Sequence, residues 1–171
     1  MGLISAALLL GAGGNAQDSQ PSEYQLKAVY LFNFAKFVEW PAAAFSAPSA
    51  PLIIGVIGKN PFGDFLENTV RGKALNGHPL AVREIRASNE TTNCHILFIS
   101  TSEQKRVPEI LKSLQNAPIL TVSEMDHFTE TGGMINFVWV EKTIHFQIND
   151  AIAKNAGLKI GSKLLGLARK N

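Results

Sequence analysis

The stretch that most limits what this chain can fold into is residues 22–41, SEYQLKAVYLFNFAKFVEWP. Ser22 is placed to cap a helix, with Gln25 three residues on reaching back to the free backbone N–H groups, and Pro41 forbids continuation past Trp40. The spacing predicts a helix over residues 23–39. Tyr24, Leu26, Ala28, Val29, Tyr30, Leu31, Phe32, Phe34, Ala35, Phe37, Val38 and Trp40 leave it only a narrow polar stripe containing Gln25 and Lys36. A helix of that kind must be covered on most sides. Burying one large apolar side chain contributes about 1.5–3 kcal/mol, so leaving half of them in water would consume much of a domain's net stability of about 5–15 kcal/mol. A membrane span is excluded, because Lys27, Asn33, Lys36 and Glu39 interrupt the apolar run well before the roughly 20 residues a bilayer requires. Two readings stay open: core alone, or core plus a homodimer or partner interface. In the second, Tyr30 and Phe37 beside the polar stripe are the expected anchors, since aromatic residues dominate interface energetics.

The chain has 171 residues, 46% hydrophobic and 18% charged, which suits one well-filled core. Its net charge of +2 comes from scattered Lys and Arg, with no basic run longer than Lys105-Arg106, so nothing points to nucleic acid. Cys94 is the only cysteine, which excludes an intrachain disulfide, a Cys-x-x-Cys motif and a cysteine-based zinc site. His78, His95, His127 and His145 lack the spacing that prearranges a metal site, so neither a metal nor a cofactor is expected.

Residues 1–16, MGLISAALLLGAGGNA, read as a secretory signal peptide, with residues 3–10 as its apolar region and Gly14-Asn15-Ala16 as the cleavage site. The mature chain, residues 17–171, would then be one exported, soluble domain. A Pro- and Ala-rich connector (residues 41–51) leads to LIIGVI at residues 52–57, a continuous apolar run suited to a parallel strand covered on both faces. A turn at Gly58-Lys59-Asn60-Pro61 precedes a helix over residues 62–71, with Phe62, Phe65, Leu66 and Val70 inward. Asn76-Gly77 is a turn ahead of a half-exposed strand at residues 80–85. CHILFI (residues 94–99) is a second buried strand. Ser102 is placed to cap a helix with Val107, Ile110, Leu111 and Leu114 inward and a kink at Pro108. A third strand, residues 119–122, is followed by a helical turn over residues 125–129. Residues 134–140 and 144–148 alternate about a tight turn at Glu141-Lys142, with Ile135, Phe137 and Trp139 on one face, and form an antiparallel hairpin. Asn149 caps a helix ended by Gly157, and residues 160–168 are a last apolar segment. The order predicts a three-layer α/β fold: a mainly parallel sheet with an antiparallel hairpin at one edge, flanked by helices.

Gly58-Lys59 lacks the glycine and hydroxyl neighbours of a phosphate loop, and Gly55, Gly58 and Gly63 do not match a dinucleotide fingerprint. Asp126-His127 has no nucleophile elbow or second carboxylate beside it, so no catalytic residue is expected. In open parallel sheets ligands bind beyond the carboxyl ends of the strands, which collects Lys59, Asn60, Ser100, Ser102, Ser123 and Glu124. They are the candidate site for a small polar ligand, and the plain alternative is that they are loop residues capping helices.

Several stretches together resemble the YfiR-like family of periplasmic proteins: LKAVYLFNFAKFVEWP, PLIIGVIGKNPFGDFL, CHILFIS, PILTVSE and GGMINFVWVEKTIHFQINDAIAKNAGLKIGSKLLGLA, in the family's order and covering nearly everything after Ser22. The resemblance implies an exported α/β protein without enzymatic activity that forms dimers. It would bind the periplasmic sensor region of an inner-membrane partner, a diguanylate cyclase or kinase-type protein, and in the first case hold cyclic-di-GMP synthesis down. Some members carry cysteine pairs. Cys94 aligns with one such cysteine and the partner position falls on Gly55, so no internal disulfide is implied here. A small-molecule binding module working through the strand ends is the alternative function.

Overall fold

A computed structural model describes residues 22–170, so the expected signal segment lies outside the described residues. The elements follow as α1 (Glu23–Phe37), β1 (Val38–Glu39), β2 (Leu52–Ile57), α2 (Phe65–Val70), β3 (Ala74–Leu75), β4 (His78–Ile85), β5 (Ile96–Ile99), α3 (Val107–Ser113), β6 (Leu120–Ser123), β7 (Ile135–Val140), β8 (Thr143–Ile148), α4 (Asp150–Asn155), β9 (Lys159–Ile160) and α5 (Ser162–Leu167). Seven strands form one sheet in the order β3-β4-β2-β5-β6-β7-β8, and β1 and β9 form a separate pair. The β4, β2, β5, β6 and β7 neighbours are parallel, and the outer pairs β3–β4 and β7–β8 are antiparallel.

The apolar runs of β2, β5 and β6 have no polar face to give to water, so helices cover both sides. Ile54, Val56, Ile96, Phe98, Leu120 and Val122 share one core with Ala28, Leu31 and Phe34 of α1 and Leu164 of α5. Ile57, Leu97 and Ile99 share a second with Val107, Ile110 and Leu114 around α3. The expected three-layer fold with its edge hairpin is what forms.

The capping box at the start of α1 is complete: Ser22 Oγ accepts from Gln25 N–H at 3.3 Å, and Gln25 Oε1 accepts from Ser22 N–H at 2.6 Å. The helix stops at Phe37, two residues before the expected end, because Val38 and Glu39 become extended to pair with Ile160 and Lys159. Its expected polar stripe is also redrawn. Lys27 is buried, 2% exposed, while the outward positions include Leu26 and Val29, 39% and 47% exposed.

Other local expectations move for physical reasons. The second helix begins at Phe65 rather than residue 62; Phe62 is fully buried just before it, and Phe65 points outward. Ser100, not Ser102, caps the segment before α3, which opens as a 3-10 turn (Thr101–Arg106). Pro108 therefore falls in the first turn of α3, where its missing N–H costs nothing, and it makes no kink. Residues 125–129 form turns rather than a helix. Residues 74–75 pair with β4 across the Asn76-Gly77 turn as an extra short strand. Trp139 alternates with Ile135 and Phe137 but lies at the first residue of α1 and is 54% exposed.

The connector is fastened by aromatic rings. Phe45 stacks on His78 at 3.8 Å and on His95 at 4.4 Å, and Trp40 meets His95 edge-on at 6.3 Å. His95 is buried, 7% exposed. Its Nδ1 accepts from Ile53 N–H at 3.1 Å, so its proton sits on Nε2 and is donated to Ala44 O at 3.1 Å. Cys94 beside it donates its thiol to Thr91 O at 3.1 Å. A Cβ added at Gly55 would lie 3.2 Å from Cys94 Cβ. The two positions that the resemblance pairs are therefore neighbours here, with one sulfur between them.

Burial lowers the His95 pKa, and the nearby His78 lowers it further, against the Ala44 carbonyl. The other titratable neighbours around it are Arg83 and Cys94, with Glu39 lining the adjoining hollow beside Trp40 and His78. The unfolded chain takes up this proton near the ordinary histidine value of about 6.5, the folded chain only at lower pH. The stability contributed by neutral His95 is thus fully present above that value and is lost as pH falls below it. The melting temperature should drop between pH 7 and pH 5.5 by more in the native protein than in His95→Gln; equal drops would contradict this. Burial also pushes the Cys94 thiol up to about 12, so alkylation of the folded protein at pH 8 should run at least about a hundredfold slower than of the unfolded chain. Comparable rates would show the thiol to be accessible.

Candidate functional site

The strand that follows β2 in the chain lies on one side of it and β5 lies on the other, so the strand order reverses between β2 and β5. The loops leaving their carboxyl ends diverge there and open a cleft. This cleft, about 370 Å³, is lined by Tyr24, Lys59, Pro61, Ser100, Thr101, Ser102 and Glu124. Gly58 lets the first loop pass close to the second: its φ is +88°, and a Cβ there would lie 2.5 Å from Ser102 Oγ. The contact is closed by Lys59 N–H donating to Ser102 Oγ at 2.9 Å, with Ser102 Oγ 3.3 Å from Ser100 Oγ.

Of the residues expected at this site, Lys59, Ser100, Ser102 and Glu124 meet in the cleft. Asn60 turns away: its Oδ1 accepts from Phe62 N–H at 2.9 Å and its Nδ2 donates to Glu84 at 3.4 Å. Ser123 lies beneath, fully buried, donating to Ile99 O at 2.7 Å.

What the sequence reading missed is the contribution of α1. Its first turn lays Tyr24 over the cleft, where Tyr24 OH donates to Glu124 Oε1 at 3.1 Å. Lys27, one turn further, pairs with Glu124 Oε2 and with Glu23 Oε1. Its ammonium also lies 4.9 Å from the Tyr24 ring centroid and 5.7 Å from that of Phe137. Trp139 Nε1 donates to Glu23 Oε1 at 3.2 Å, so one lysine gathers α1, the end of β6 and the hairpin into a single polar network. Burial, and then the Glu124 carboxylate, push the Tyr24 hydroxyl up to about 12, and it stays a hydrogen-bond donor at neutral pH. The visible signal was the Glu23/Lys27 pair at i, i+4 in a helix otherwise short of charge.

The hydroxyls of Ser100 and Ser102 have no histidine or free carboxylate beside them in this lining, so the cleft lacks a nucleophile–base pair. Among the described residues no group of three or more His, Cys, Asp or Glu side chains is placed to hold a metal ion, and no helix is long and apolar enough to cross a membrane.

The expected interface residues sit at the edges of α1. Tyr30 is half-buried against Phe137 and Phe146, with ring centroids 5.9 and 5.7 Å away. Phe37 is half-buried, with the Lys36 ammonium 5.8 Å from its ring centroid.

The family model described as YfiR/HmsC-like matches residues 24–169, which take in every strand and helix above except the first residue of α1. The chain belongs to the YfiR/HmsC-like family. One solved structure adds the fold alone. A conserved domain protein from Vibrio cholerae O1 biovar El Tor aligns with a TM-score of 0.57 at 11% identity, over 86% of this chain and 59% of that one. The ABC domain in complex with L-Trp from Streptococcus pneumoniae aligns with a TM-score of 0.49 at 14% identity, over 68% of this chain and 54% of that one. This YfiR/HmsC-like chain thus spans little more than half the length of either.

Lys27→Met should leave Glu23 and Glu124 facing each other without their cation, and breaking such a buried pair costs about 3–5 kcal/mol. Denaturant unfolding at pH 7 measures it, and a loss under about 1 kcal/mol would show that the network contributes little to holding α1 in place.

Proposed function

We propose that this chain is a regulatory protein-binding domain that acts in the periplasm, where it holds down an inner-membrane diguanylate cyclase by binding its sensor region. The observation that carries the reading is membership of the YfiR/HmsC-like family over residues 24–169, a regulatory rather than catalytic family. The outward apolar positions on α1 agree with it, since a protein-binding surface needs apolar area that water disfavours. Tyr30 and Phe37 flank those positions and serve as anchors of a homodimer or partner contact. The N-terminal signal segment delivers the domain to the periplasm.

A second reading is favoured by the cleft itself: a small polar ligand held by Lys59, Ser100, Ser102 and Glu124, with Tyr24 above it. The two readings are separated by titrating the purified chain with the purified periplasmic sensor region of the host's diguanylate cyclase. Binding that survives Lys59→Ala supports the regulatory reading. Absence of binding, together with thermal stabilisation by a small polar compound that Lys59→Ala abolishes, would replace it with the second.

A further inference from the structure

The network around Lys27 does not balance. It holds one ammonium and the carboxylates of Glu23 and Glu124, an excess of one negative charge at pH 7. Lys59 lines the cleft on the Glu124 side but forms no ion pair with either carboxylate among the described residues. Glu124 is 12% exposed and has Tyr24 and Lys27 as partners, so the accessible share of the excess lies at Glu23, 34% exposed, whose Oε2 makes no hydrogen bond or ion pair among the described residues.

Glu23 is bordered by apolar surface. Trp139, 54% exposed, is held beside it by the indole N–H···Oε1 bond, which fixes the ring while leaving much of it in water. Leu26 lies one turn along α1 and Val29 one turn beyond it, both outward. A carboxylate with excess charge, next to a fixed indole and two aliphatic side chains, matches one recognisable chemistry: a guanidinium or ammonium carried on an apolar segment. The cation would satisfy Glu23 and lie against the indole, where cation–π attraction favours it, while neighbouring apolar side chains cover Leu26 and Val29.

Resting on the protein-binding reading above, we infer that Glu23, Leu26, Val29 and Trp139 form the docking surface for the partner, and that the partner presents an Arg or Lys flanked by apolar side chains. This surface is distinct from the cleft, whose lining includes none of Glu23, Leu26, Val29 and Trp139.

The test titrates the full chain and its variants with the same purified sensor region. Trp139→Ala and the pair Leu26→Ser, Val29→Ser should each weaken binding at least tenfold, Glu23→Lys more, and wild-type affinity should fall with added salt; Lys112→Ala, exposed on α3 in the layer that packs with the second core, should leave it unchanged. Replacing the sensor's basic residues singly with Glu should identify one that restores binding to Glu23→Lys. Trp139→Ala removes an exposed side chain, and circular-dichroism melts confirm which variants stay folded. If the wild type binds and the folded variants bind within twofold of it, the surface is overturned while the protein-binding reading stands. If sedimentation shows that the same variants lose only self-association, the occupant is a second copy and the inference is equally overturned. If the wild type binds no sensor region, the reading beneath it fails and takes this one with it.

Discussion

A single ammonium group holds the outer layer of this protein to its sheet. Lys27 projects from a helix that has too many apolar residues to choose one inward face by hydrophobicity alone, and burial of a lysine is tolerable only where carboxylates receive it. Glu124, at the carboxyl end of β6, is one receiver, so the rotation of α1 about its axis is set by the position of that strand end. Once Lys27 is inward, Leu31 and Phe34 follow it into the core and Leu26 and Val29 must face out. The cleft roof at Tyr24, the packing of Tyr30 against the hairpin rings and the outward apolar surface are all consequences of that one choice.

The same fact explains how much of the fold could be read in advance. LIIGVI, CHILFI and ILTV are unmistakable as buried strands because their runs are almost wholly apolar, and the Asn149 and Ser22 caps depend on local chemistry that the sequence states outright. The helix-to-strand change at Val38 was not legible, because its cause, pairing with Ile160, lies far along the chain. Phe65 and Trp139 were assigned inward by periodicity, yet periodicity records which side a residue takes and not where the covering element stops. Lys27 was counted among the breaks in an apolar helix; nothing local distinguishes a lysine that will meet two carboxylates from one that will meet water.

For the candidate site, the rule that ligands gather at strand carboxyl ends found the cleft but not its membership. Asn60 and Ser123 have the right polar atoms at the right strand ends, and both spend them internally, one on Phe62 N–H and Glu84, the other on the Ile99 carbonyl. The contribution of α1 came from outside the strand-end loops altogether. Polar residues at the ends of parallel strands thus divide between holding the loops in shape and facing the opening, and only the hydrogen-bond partners tell which is which.

The β1–β9 pair carries a consequence for how the chain reaches this state. Val38 and Ile160 bond across almost the whole length of the described residues, and Gly161 N–H donates to Phe37 O at 2.8 Å to finish the end of α1. The helix that covers the sheet is therefore secured at one end by Glu124 and at the other by a segment far along the chain. Contacts so distant in sequence close a large loop and raise the entropic barrier to folding. Until residues 159–161 are in place the covering helix has a loose end, so the outer layer should close late and cooperatively, as a clasp rather than as a first-formed nucleus.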